Sequence, residues 1–293
     1  MPKPKSPFDL LPSAPPPGSS YFISNAVIIA KRVALGLEAP IRINNCHRKY
    51  DNPFYDWYRR DSSAQLVCMQ LRKEQKAPFF HEYVAFALRD GRYFRIDRRQ
   101  LPNEASPMDC TSKKGVKAYD TIEEITSLDD SMYNPSDCLA EVYFPRDTRL
   151  SLIICICTAI SRDSQASAYT VQRYNCYFYA QTILLYTACK SAVRTRFGGL
   201  WEYSYQYDPP VYAGPPTQAS YFSIQWPWKQ ASQDENGGHQ PREMQTANWY
   251  ELKAYLLAMI HAHSLRVEQY KFVLRCSAEE VERDIKEKMS QIW

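Results

Sequence analysis

A histidine inside an apolar strand and a cysteine at the start of a helix, far apart in the chain, are the residues that could do chemistry. Cys176 follows Asn175, a good N-cap residue. The run Cys176 to Phe197 contains neither Gly nor Pro and stops at Gly198-Gly199. The first turn of such a helix carries unpaired N–H groups and the positive end of the dipole, both of which favour a thiolate. A nucleophilic thiolate needs a base, usually an imidazole held by a third polar group. Of the five histidines, His81 stands in the strand-like run Phe79 to Leu88, while His47 and His239 sit in loop sequence and His261 and His263 on a late helix. Cys176 would then attack a carbonyl, and His81 would take and return the proton.

The third group depends on a turn. Asp90-Gly91 joins the His81 strand to a run from Tyr93 to Arg99 and is a strong hairpin signal. A two-residue turn puts Gln100 opposite His81. A three-residue turn with a bulge shifts the register by one and brings Asp97 to the His81 face. Register favours Gln100; the chemistry of an imidazolium favours Asp97. Asn175, Tyr177 and Tyr83 are the expected substrate-binding neighbours.

The elements that must position these groups read as an α+β protein, with an antiparallel sheet packed on the Cys176 helix and a helical extension at the C-terminal end. Strands are expected at Leu66 to Leu71, on both arms of the hairpin and at Cys138 to Phe144. The apolar run Leu150 to Ile160 reads as a helix, and residues 41 to 63 read as loop. Asn248 to Ser264 is amphipathic, with Trp249, Leu252, Leu256, Met259 and His263 along one face. Ser277 and Glu280 form a capping box for a last helix. The organisation is a Pro-rich disordered tail (1–22), a core (23–200), an irregular aromatic and Pro-rich excursion that could act as a lid (201–245), and the helical extension packed on the core (246–293).

Composition narrows the function classes. A net charge of +4, with scattered basic residues, gives no nucleic-acid signature. Nine cysteines without a Cys-x-x-Cys pair exclude a zinc ribbon, and His261 and His263 are two apart, so no metal and no cofactor is expected. The start of the chain has no secretory signal and no run is long enough to span a membrane, so the expected location is cytoplasmic with reduced thiols.

On His81-Glu82 and Asn175-Cys176-Tyr177-Phe178, in the order strand histidine then helix cysteine, the chain resembles the circularly permuted papain-like enzymes. These include the lecithin:retinol acyltransferase relatives and the PPPDE peptidases. The resemblance covers about residues 65 to 200. With Arg95-Ile96-Asp97-Arg98 and Tyr174 added, it also resembles a class of uncharacterised fungal proteins. The first resemblance implies a thiol hydrolase or acyltransferase acting on a peptide, acyl or other carbonyl substrate. The aromatics beside Cys176 depart from the lecithin:retinol pattern and leave the substrate class open. The alternative is a non-catalytic protein-interaction module on the same fold, holding its partner through the 201–245 excursion and the Pro-rich tail.

Overall fold

A computed structural model describes residues 27–43, 52–75, 80–101, 105–130, 133–144, 148–197, 224–225 and 249–292. The 1–22 tail and all of the 201–245 excursion except 224–225 lie outside the described residues.

The centre is an antiparallel sheet built from β1 (Ile41–Arg42), β2 (Leu66–Glu74), β3 (Glu82–Leu88), β4 (Tyr93–Gln100), β5 (Val116–Ile125), β6 (Ser136–Tyr143) and β8 (Ile224–Gln225). Their order is β1-β5-β4-β3-β2-β6-β8, and the short β7 (Ala168–Tyr169) pairs with β5. The part of the excursion that is described, β8, is therefore a sheet strand and not irregular chain. β5 is a strand despite the Asp120 to Glu123 spacing, which also resembles a helix cap; its acidic side chains are used in buried ion pairs.

The β3–β4 hairpin closes as a three-residue turn. Leu88 N donates to Arg92 O at 2.9 Å and Gly91 N to Leu88 O at 3.1 Å. Gly91 has φ 91°, the left-handed conformation that a bulged turn of this kind requires. Val84 then pairs with Ile96, and Ala85 with Arg95. Side chains alternate along a strand, so His81, Tyr83 and Ala85 share a face with Arg95, Asp97 and Arg99. Glu82, Val84 and Phe86 share the other with Ile96, Arg98 and Gln100.

α4 (Cys176–Phe197) covers the second of these faces. Phe178, Ile183 and Leu184 join Val84, Phe86, Ile96, Met69 and Leu71 in the main core. Burying them supplies most of the drive, at roughly 1.5–3 kcal/mol per large apolar side chain. α3 (Leu150–Arg162) lies beside α4, as its apolar run suggests. The C-terminal helices α5 (Trp249–Glu268), α6 (Lys271–Leu274) and α7 (Ala278–Ile292) follow, α5 against α4 and α7 against α3. The capping box is formed: Glu280 N donates to Ser277 Oγ at 3.3 Å and Ser277 N to Glu280 Oε2 at 3.1 Å. α2 (Pro53–Asp61) falls within the stretch expected to be loop. Asn52 caps it by accepting from Phe54 N at 3.2 Å, and Phe54 and Trp57 anchor it in the core. No helix among the described residues is long and apolar enough to cross a membrane.

Candidate functional site

Asn175 caps α4 as its type requires: its Oδ1 accepts from Phe178 N at 3.2 Å. Cys176 is therefore at the helix start, yet it has no access to solvent, with 0% exposure. Burial dominates over the helix field and pushes the thiol up to about 12; a backbone hydrogen bond at Glu82 and the charge of Lys73 oppose it, and the Glu82 carboxylate adds to the rise. The helix start does not generate a thiolate here, because the same packing that seats α4 on the sheet excludes water from the sulfur.

Glu82 identifies the side of the sheet on which the thiol lies. Gln181 of α4 donates from Nε2 to Glu82 Oε2 at 3.1 Å, so the Glu82 side chain points to the helix. His81, its neighbour along the strand, points the other way. Its Nε2 is 3.2 Å from Asp97 Oδ2 and its ring stacks at 6.5 Å on Tyr83. The imidazole and the Cys176 helix lie on opposite faces of the sheet. The described partners of His81 are Asp97 and Tyr83, while the Cys176 thiol bonds the backbone of Glu82, the next residue along the strand.

Of the alternative third groups, Asp97 is the one beside His81. Gln100 is on the helix face, where its side chain bonds the Cys110 thiol. The expected substrate-binding residues do not share a groove. Tyr83 is buried on the His81 face and lies under Arg95. Asn175 and Tyr177 are buried on the helix side, where Tyr177 Oη donates to Phe80 O at 3.2 Å. Phe80 has φ 40°, so the chain enters β3 through a strained residue whose carbonyl this tyrosine holds.

Asp97 belongs to a buried ionic cluster. Arg95 Nη2 is 2.9 Å from both Glu74 Oε1 and Asp97 Oδ2, and its guanidinium lies between the rings of Tyr83 (3.7 Å) and Tyr133 (4.7 Å). Arg99 Nη2 reaches Asp97 at 2.7 Å, and Thr121 Oγ1 donates to Asp97 Oδ1 at 2.7 Å. Burial would raise the Asp97 carboxyl, but Arg99, Arg95 and His81 outweigh it and hold it well below the usual range. Burial lowers His81, against the pull of Asp97. Arg32, from the helix at 27–34, closes the cluster through Glu123 at 3.0 Å. The run Arg95 to Arg99 reads from sequence as a solvated strand face, but Arg95 and Arg98 are fully buried, because Glu74, Glu123, Asp120 and Tyr133 reach them from distant elements that give no local signal.

On the helix side, His263 of α5 is buried with Nε2 at 2.9 Å from Gln172 O, and burial lowers it to about 4. It lies 5.4 Å, ring to ring, from Tyr177. This histidine is nearer to the start of α4 than sequence order suggests, but its Nε2 is committed to a carbonyl. No group of three or more His, Cys, Asp or Glu side chains among the described residues is arranged to hold a metal ion.

No family model, no curated protein and no solved structure matches this chain.

Proposed function

We propose that this chain is a non-catalytic protein-interaction module, and that the helix at residues 27–34 carries its contact face. The observation that carries the proposal is the inverted polarity of that helix. Its buried residue is Arg32, at 2% exposure, while Val33 is 73%, Val27 68% and Ile29 56% exposed. Ala30 and Ala34 complete the outward face and are exposed as well. On an ordinary surface helix the charged residues face out. Here the charge holds the helix down, through Glu123 and the Glu38 carbonyl, and the apolar side is left for something else.

Charge defines the occupant. Beside the apolar face, Lys31 is paired with Asp130 at 3.4 Å, and Asp129, paired with the buried Arg72 at 2.9 Å, still keeps 86% of its side chain exposed. An apolar strip with an acidic margin fits an amphipathic protein helix that carries Lys or Arg beside its own apolar stripe. The burial of Cys176, which pushes its thiol up to about 12, supports a binding role over thiol chemistry. The cytoplasm is the compartment we assign, on the odd number of cysteines and their irregular spacing.

The test uses a fluorescent amphipathic Leu/Lys peptide, titrated into the full chain and read by anisotropy. Saturable binding that Ile29→Asp and Val33→Asp abolish is the expected result, with a Leu/Glu peptide binding more weakly. Absence of binding, or equal binding by these variants, rejects the proposal. Stoichiometric labelling of native Cys176 by a thioester probe, followed by turnover, would restore the thiol hydrolase or acyltransferase reading.

A further inference from the structure

A cleft of about 580 Å³ lies between α7, the turn that follows α3, and the turn that leads into β5. Lys113, Lys114, Arg173 and Lys288 line it, together with Asp284 and Glu287. Its volume is in the range of small-molecule sites.

The charges are not equivalent. Lys288 is neutralised by Asp163 at 3.1 Å, and Arg173 Nε donates to Asp284 Oδ2 at 2.7 Å. Lys113 and Lys114 have no carboxylate partner among the described residues and are exposed at the mouth. Arg173 is different again. Its side chain is only 8% exposed, its guanidinium lies beside the Cys276 thiol, and its Nη1 has no nitrogen or oxygen partner among the described residues. A buried guanidinium N–H without an acceptor is costly, and an anion in the cleft could supply one after a small rearrangement.

The turn that carries the two lysines is pinned by the backbone. Gly115, which follows them, has φ 67°, and a Cβ there would lie 2.4 Å from Tyr169 O. Its N–H donates to Ser112 Oγ at 3.2 Å. Only glycine lets this turn press against 169–170, the segment that leads to Arg173. Tyr174 supplies one wall, with its Oη 3.4 Å from Gln165 Oε1.

We infer that this cleft binds a small molecule bearing a pyrophosphate group, with Lys113 and Lys114 contacting the outer phosphate and Arg173 the inner one. Two adjacent unneutralised ammonium groups and a guanidinium suit several phosphate oxygens better than one carboxylate. Asp284 and Glu287 work against any anion, so Asp284 limits the affinity by occupying Arg173. The lysines decide whether an anion binds, and Asp284 how tightly.

Inorganic pyrophosphate, without divalent cations, is titrated calorimetrically into the full chain at low ionic strength. One saturable site is expected. The double variant K113E/K114E, which alters only exposed side chains, should bind at least on the order of tenfold more weakly. Asp284→Asn should bind several-fold more tightly, because Arg173 loses its competitor. Three results overturn the inference: no saturable heat, unchanged affinity in the double variant, or equal binding of sulfate at matched ionic strength. Weaker binding in Asp284→Asn would remove Arg173 from the site.

Discussion

His81 and Asp97 face each other across the β3–β4 hairpin, Nε2 to Oδ2 at 3.2 Å, on the side of the sheet that α4 does not touch. Glu82, one residue along, faces Gln181 of α4. The alternation of a single strand therefore sends the His81 imidazole and the Glu82 carboxylate to opposite faces of the sheet.

Thiol reactivity follows from the burial of the sulfur. Cys176 is sealed with its thiol near 12, whereas Cys155 on α3 is exposed. Iodoacetamide at pH 8, followed by peptide mapping, should modify Cys155 first. Cys176 should react only as fast as the protein opens, and at an ordinary thiol rate in denaturant. Early labelling of Cys176 in the folded protein contradicts the described packing.

Asp97 should matter more for stability than Gln100. Asp97→Ala leaves the buried Arg95 and the half-buried Arg99 without one of their carboxylates, a loss of about 3 kcal/mol. Gln100→Ala removes a bond to a neutral thiol and should cost about 1 kcal/mol. Urea denaturation compares them, and equal losses would show that the cluster contributes no more than an ordinary hydrogen bond.

Acid should weaken the fold through its histidines. Burial lowers His263 to about 4 from 6.5, so between these values the unfolded chain binds more protons than the folded one. Its stabilising effect is complete above about pH 6.5 and is lost as pH falls to about 4, by on the order of 3 kcal/mol. His81 is lowered as well and acts in the same sense. Stability curves from pH 7 to 4.5 should be shallower for His263→Gln than for the wild type.

Two glycines should respond differently to alanine. Gly91 has open space around its missing Cβ, so Gly91→Ala carries only the conformational cost, about 1 kcal/mol. Gly115→Ala adds a collision with backbone at 2.4 Å and should lower the melting temperature much further. Similar melting temperatures would mean the 113–115 turn can move off 169–170.

The hairpin, the helix cap at Asn175 and the capping box at Ser277 were legible because each is written in adjacent residues. The hairpin register was not. The two turns that Asp90-Gly91 allows exchange faces, and only Gly91's φ and the Leu88–Arg92 pairing decide between them. Nor does a local signal say which face of the sheet α4 covers, because its described side chains are buried almost all round and no polar stripe points outward. β5 was ambiguous for a related reason. Asp120 and Glu123 look like surface residues until Arg98, Arg95 and Arg32 arrive from elsewhere.

One face of the sheet is seated mainly by apolar packing, with the Arg98–Asp120 pair set into it, and the other mainly by the Arg95–Asp97 cluster. Cold weakens the first of these before the second. Buried ion pairs are screened little by salt, so the helix at 27–34, fastened by Arg32 to Glu123 with both side chains 2% exposed, stays in place in strong electrolyte and loosens when Glu123 is replaced.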